Sequence, residues 1–399
     1  MSLSRFPGRS VWIERLVGQI TAGRAGQPFL FAGPEGSGKE MTALEVARLV
    51  QCVEPDACRP ERRCESCTKA LSFQHPDIRW MGPAPAGIDE AGVRNLYEGK
   101  RQDPFHLAPF ASSAGIAIGD TEHPGPLSVR SLIRFLRLQA FQGRYKVAVV
   151  ADAHRMSPGA ANALLKTLEE PPPQTLIFLL SGSPSAMLPT IRSRCRKVQF
   201  DPYGEAELAE LLQEIGKADA AASRDLARRA DGNARKAMAL LSPEAQILDA
   251  WAFRIWERLQ AGRRGDAHHA ADQLHGGALP KELLPADAGR DLKEPTKEPT
   301  AKRGRVLQLC EMLGLYYSEA LAALARGEAW DPRIAGERRA RVAELAVRRR
   351  PRTLVADIAR LERTKQEIDR NLNIGLCLAV LFEDLIDHVQ HDEKSLAGR

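Results

Sequence analysis

Hydrophobic positions along the chain follow two rhythms. Short unbroken apolar runs occur at Pro28-Phe29-Leu30-Phe31-Ala32, Val147-Ala148-Val149-Val150 and Leu176 to Leu180. Their length and β-branched or aromatic content are those of strands buried on both faces. Elsewhere apolar residues recur every three to four positions. Arg9 to Thr21 does so through Trp12, Leu16 and Ile20 with Val11 and Val17 alongside, and Pro126 to Phe141 through Leu132, Phe135, Leu136 and Leu138. These spacings, and the segment Met41 to Val50, predict helices. Ser157-Pro158 supplies an N-cap and a first-turn proline for another helix, which Glu169-Glu170-Pro171-Pro172-Pro173 stops. Residues 145 to 200 therefore read as strand, helix, strand, then a short helix leading into one more strand, a parallel α/β core.

Around this core the pattern changes. His75-Pro76-Asp77 reads as a turn before the strand Ile78-Arg79-Trp80. Residues 81 to 119 are rich in Gly, Pro and Ala, with one helix around Asp89 to Lys100, and read as a surface excursion. After Phe200 the spacing is helical, over Gly204 to Gly216 and Asp219 to Ala230, with a third helix opened by Asp231 to Lys236. Leu259 to Ala301 carries a repeated Lys-Glu-Pro-Thr, at 293–296 and 297–300, and reads as a linker. Val306 to Ala325 and Pro351 to Val389 then predict long helices, with Cys310 and Cys377 on apolar faces as core residues.

Composition narrows this only slightly. At 399 residues the chain has room for two or three domains, and 44% hydrophobic with 27% charged residues is ordinary for a globular protein. No apolar run approaches 18 residues, and Arg5, Arg9, Glu14 and Arg15 break any signal-peptide layout, so a cytoplasmic protein with no membrane contact is expected. A net charge of +6 permits contact with nucleic acid without establishing it.

Candidate chemistry sits where strands end. Gly33-Pro34-Glu35-Gly36-Ser37-Gly38-Lys39-Glu40 fits G-x-x-x-x-G-K between a strand and a helix, but Glu40 replaces the final Ser or Thr whose hydroxyl would hold Mg²⁺. Glu40 adds negative charge beside a polyphosphate, which opposes binding. The strand from Val147 closes at Asp152, a Mg²⁺-ligand position, and Ala153 follows where a carboxylate would orient water. Four of the seven cysteines, Cys52, Cys58, Cys64 and Cys67, have the spacing C-x5-C-x5-C-x2-C. They are either a closed four-cysteine zinc site or free thiols.

ALLKTLEEPP at 163 to 172, the apolar strand after it and TIRSRC at 190 to 195 together resemble the bacterial clamp-loader AAA+ subunits. Ala153 narrows the resemblance to the delta-prime type of DNA polymerase III subunit, related to gamma/tau. The resemblance covers residues 9 to 245 well and 305 to 390 more weakly. It implies an AAA+ P-loop domain with a parallel sheet over 1–200, a four-cysteine zinc module inserted at 52–67, and a small helical lid over 201–245. A helix and linker would follow at 246–304, then an all-α collar at 305–399 through which five subunits form a ring, Asn371-Leu372-Asn373 lying near its last helix. The implied partners are gamma/tau and delta subunits, the sliding clamp and primer-template DNA. By position, Gly33, Gly36, Gly38, Lys39, Asp152, Ser181 and Arg235 would form a degenerate nucleotide site, with zinc as structural cofactor and ATP with Mg²⁺ in doubt. Arg194 of Ser193-Arg194-Cys195 would be an arginine finger acting on a neighbouring subunit's ATP. The bland alternatives are a surface salt bridge for Arg194 and an ordinary first-turn arginine for Arg235. Two rival functions stand beside this one. An active gamma/tau-like ATPase would turn over ATP as an isolated chain; a stand-alone zinc-containing DNA-binding protein would bind DNA tightly and salt-sensitively without partners.

Overall fold

A computed structural model describes residues 9–23, 27–59, 61–85, 87–103, 105–106, 114–214, 218–262, 265, 279–280, 284, 299–334, 336–370 and 372–397. Most of the expected linker, and Asn371, lie outside them. The chain folds into two compact units, residues 1–238 and 239–399.

The first unit is built on a five-stranded, all-parallel sheet. Its strands are β1 (Phe29–Ala32), β2 (Ile78–Met81), β3 (Lys146–Val150), β4 (Thr175–Ser181) and β5 (Arg196–Gln199), in the order β2-β3-β4-β1-β5. The apolar runs became β1, β3 and β4, almost wholly buried, as a sheet covered on both faces requires. Strand β5 closes one edge, pairing Phe29 with Arg196 and Phe31 with Val198. Phe29, Phe31, Phe178 and Phe200 pack ring against ring, with Trp12 edge-on to Phe31 and Phe200. That cluster fastens helix α1 (Ser10–Thr21) to the sheet.

The connections are α2 (Lys39–Val50), α3 (Glu65–Leu71), α4 (Glu90–Gln102), α5 (Val129–Arg137), α6 (Pro158–Glu169) and the short α7 (Pro189–Arg192). Ser157 caps α6 by accepting the Ala160 amide, as expected. Helix α5 is shorter than the apolar spacing predicts, starting at its Ser128 cap and ending at Arg137, so Leu138 is exposed rather than on the apolar face. Beyond its end the chain is anchored on Asp77. Its buried carboxylate accepts the N–H groups of Phe141, Gln142 and Gly143 and pairs with Lys146 Nζ at 2.7 Å. Burial alone would raise the Asp77 carboxyl; Lys146 and the three amides outweigh it and hold it at about 2. After β5 come α8 (Glu205–Glu214), α9 (Ala220–Ala230) and α10 (Ala234–Leu240), the last running across the boundary between the units.

The second unit is helical. Its elements are α11 (Pro243–Gln260), α12 (Pro299–Arg326), α13 (Gly336–Ala346), α14 (Pro351–Asp369) and α15 (Ile374–Ala397). Trp256, Tyr316, Tyr317 and Phe382 fill its core, with Cys310 and Cys377 buried as expected. At its centre the buried Arg349 donates to Asp392 (2.9 Å), Asp357 (2.5 Å) and Gln260 (2.8 Å), tying four segments together. No helix among the described residues is long and apolar enough to cross a membrane.

His388 faces this network, with Nδ1 2.6 Å from Asp357 and Arg349 and Asp384 also in its field. The hydrogen bond to Asp357 lifts its pKa above the ordinary value against the opposing effect of burial. A pKa raised in the folded state means the stabilisation is complete below the unfolded value of about 6.5 and is lost as pH climbs through the folded one. Thermal melts between about pH 6 and 8.5 are expected to show the second unit weakening with rising pH, and His388→Gln to remove most of that slope.

Candidate functional site

The carboxyl ends of β1, β3 and β4 open into one cavity of about 350 Å³, the place where open parallel sheets receive ligands. Residues 35–41 form its floor, Asp152, His154 and Arg155 one wall, Gly182 and Ser183 another, and Arg235 and Phe105 its rim. Of the residues expected in a nucleotide site, Gly36, Gly38, Lys39, Asp152 and Arg235 line it. Gly33 and Ser181 do not. Gly33 is packed so closely on β5 that a Cβ would meet the Phe200 carbonyl oxygen at 2.1 Å. Ser181 is fully buried, its Oγ accepting the Ser183 amide at 3.1 Å and its carbonyl the Gly33 amide at 3.2 Å. Both shape the turn from beneath.

The loop between β1 and α2 is gripped from outside the sheet core. Gly36 has φ +70°, and a Cβ there would collide with Asn233 Oδ1 at 1.8 Å; Gly38 has φ +80° and lies against the Tyr203 hydroxyl. Glycine is required at both for conformation and for space. The amide of Ala234, first residue of α10, donates to Gly36 O at 3.0 Å, and Arg9 donates to Ser37 O at 3.3 Å while its guanidinium lies over Phe200 and Tyr203.

The charges facing the cavity are met by protein partners. Lys39 Nζ folds back on its own loop, donating to Gly33 O (2.7 Å), Pro34 O (2.6 Å) and Ser37 Oγ (3.3 Å). Burial lowers its pKa to about 8, against the fields of Asp152 and Glu40. Arg235 pairs with Glu35, the third residue of the loop. Burial brings its guanidinium down to about 10, and its Nε has no hydrogen-bond partner among the described residues. Glu40 Oε1 is 2.6 Å from Lys100 Nζ, a deeply buried ammonium delivered by α4 and lying over Trp80. The repulsion expected of Glu40 toward a polyphosphate is therefore offset by a residue of the 81–119 excursion. Sequence spacing held no sign of the Glu35–Arg235 or Glu40–Lys100 pairs, whose members are far apart in the chain. Asp152 closes β3 in the left-handed region at φ +46°, and Ala153 behind it is buried, leaving no carboxylate at that position.

Arg194 lies outside this cavity. Its Nε donates to Glu169 Oε1 at 2.7 Å and its Nη1 to Thr190 O at 2.8 Å, while Cys195 next to it is buried with its thiol pushed up to about 12 by desolvation. The four clustered cysteines do come together, their Sγ atoms all within 4.8 Å of one another, and could hold a metal ion. Cys52 and Cys64 Sγ are 3.8 Å apart, the edge of a sulfur tetrahedron around zinc with Zn–S near 2.3 Å being about 3.8 Å. Burial would raise the Cys64 thiol, but the amides of Cys67 and Val53 outweigh it and bring it to about 7.

Residues 8–204 match the family model described as "DNA polymerase III, delta subunit". Over these residues the chain is similar to the DNA polymerase III clamp-loader subunits. Escherichia coli K12 DNA polymerase III subunit delta' is 31% identical over 192 residues, 48% of this chain and 47% of that protein. The delta' subunit of Bacillus subtilis 168 is 28% identical over 202 residues, 51% of this chain and 50% of its own. The gamma/tau subunit of Mycobacterium tuberculosis H37Rv is 29% identical over 197 residues, 49% of this chain and 28% of its own. The chain thus spans about half the length of the delta' relatives it matches. The clamp-loader match takes in the cavity loop, the cysteine cluster and the Ser193-Arg194-Cys195 motif, while α8 to α15 fall beyond it.

The buried Glu40–Lys100 pair gives a direct test of how the cavity is held together. Lys100→Met should lower the stability of the first unit by about 3–5 kcal/mol, because it strands a buried carboxylate. Glu40→Thr with Lys100→Met should recover most of that loss in thermal or urea unfolding.

Proposed function

We propose that this chain is a delta-prime-type subunit of the DNA polymerase III clamp loader, working in a hetero-pentameric ring with gamma/tau and delta subunits to place the sliding clamp on primed DNA. In this reading 201–245 is the lid, 305–399 the ring-forming collar, and Cys52, Cys58, Cys64 and Cys67 hold a structural zinc ion. Its place of work is the cytoplasm. Its own nucleotide site is degenerate. Its chemical contribution is Arg194, given in trans to the ATP bound by a neighbouring subunit.

The observation that carries this reading is the contrast between two sets of charges. Lys39, Arg235 and Glu40, which in a working site would face phosphates and Mg²⁺, are each engaged by the protein itself. Ala153 offers nothing to orient a water. Arg194, by contrast, stands outside its own cavity with its side chain 34% exposed. A guanidinium has five N–H donors. Glu169 takes the inner edge and Thr190 one Nη1 proton, which leaves outer-edge donors for a second anion. An exposed pair of this kind contributes at most about 1 kcal/mol, so releasing Glu169 costs little beside what an arginine gains on a transferring phosphoryl group. The active gamma/tau-like alternative lacks support at Glu40 and Ala153.

The test is ATP turnover by the reconstituted ring with clamp and primed DNA. Arg194→Ala is expected to lower turnover at one ATP site by about 10³-fold or more while the ring still assembles on a sizing column. Unchanged turnover would refute the finger. Measurable turnover by the isolated chain would favour the motor-subunit reading instead.

A further inference from the structure

The cysteine cluster has a neighbour that its spacing did not reveal. Arg48, near the end of α2, is buried, and its Nη1 donates to Cys67 Sγ at 3.2 Å. Its orientation is fixed by Glu45, one turn earlier on the same helix. Nε donates to Glu45 Oε2 at 2.8 Å and Nη2 to Oε1 at 2.6 Å, a two-point clamp that leaves Nη1 directed at the sulfur. Glu45 is itself almost completely buried.

Four thiolates on a divalent ion carry a net charge of −2, which a partly buried site must offset with donors and cations. Backbone amides serve three of these sulfurs. Cys58 Sγ accepts from the Cys64 amide at 3.4 Å, Cys64 Sγ from the Cys67 amide at 3.5 Å, and Cys52 takes the N–H of Glu54. Among the described residues no amide is directed at Cys67, the most buried of the four. Arg48 occupies that place.

We propose that Arg48, clamped by Glu45, is the positioning and charge-compensating donor for the Cys67 thiolate, and that the metal affinity of the cluster depends on it. This rests on the zinc reading given above. Arg48 touches a ligand and not the metal. A lysine there keeps the charge but cannot make both the Glu45 clamp and the sulfur contact in a fixed plane. The same pair links the cluster to α2, the helix that begins at Lys39.

The experiment uses the full-length chain and zinc alone. Zinc content is measured by elemental analysis, and affinity by competition with a chromogenic chelator. The wild type is expected to hold one zinc per chain, Arg48→Met to bind it about 10–100-fold more weakly, and Arg48→Lys to recover part of the loss. The exposed Arg62→Met should behave as wild type. In cobalt-substituted protein the thiolate-to-metal charge-transfer band should shift in Arg48→Met and not in Arg62→Met. Glu45→Gln, which leaves Arg48 in place and loosens its clamp, should show a smaller loss and covers the case in which Arg48→Met does not fold. A wild type without zinc removes the underlying reading. A zinc-bound wild type with unchanged affinity in the Arg48 variant, or in Glu45→Gln if that variant alone folds, overturns the proposal by itself.

Discussion

The first unit depends on how closely the loop after β1 can be approached. Three glycines let three different neighbours in: the Phe200 backbone at Gly33, Asn233 at Gly36 and the Tyr203 hydroxyl at Gly38. A methyl group at any of them would have to displace backbone or a buried side chain. Because Phe200 and Tyr203 follow β5 and Asn233 precedes α10, the same glycines join the sheet to the helices after it. The cavity keeps its shape through these contacts, all of them made by the protein.

Electrostatics within the cavity follow from that enclosure. The loop gathers positive charge from Lys39 and Arg235, and Glu35 and three loop oxygens answer it from within. Glu40, at the start of α2, draws an ammonium from α4. A charge in such a place must be paired, because an unpaired buried ion costs several kcal/mol. Glu40 and the segment carrying Lys100 are therefore parts of one arrangement, although 60 positions separate them.

What the sequence disclosed, and what it hid, divides along distance in the chain. Local signals were sound. The apolar runs became β1, β3 and β4, Ser157-Pro158 opened a helix, and the four cysteines between 52 and 67 converged. Predictions failed where a remote group intervened. Spacing carried α5 through Phe141, but the helix ends at Arg137 and Asp77, lying 64 residues earlier, takes the Phe141 amide. Ser181 matched a site position by its place after β4, yet its hydroxyl turns inward to Ser183. For Arg48, nothing at its own position in the sequence announces Cys67 as its partner. The linker and Asn371 lie outside the described residues.

Cys195 and Arg194 illustrate how a surface feature can be set by the interior. The thiol is buried, its pKa raised by desolvation, and the arginine one position earlier is left outside. Immediately afterwards the Arg196 amide donates to Pro28 O at 2.8 Å and β5 enters its ladder with β1. Before that ladder begins, the Arg194 amide donates to Ile191 O at 3.2 Å and the Cys195 amide to Arg192 O at 3.4 Å, so both residues sit in the turn that ends α7. The turn closing a short helix thus decides which side chain this molecule offers to its surroundings, and the edge strand takes up the chain only afterwards.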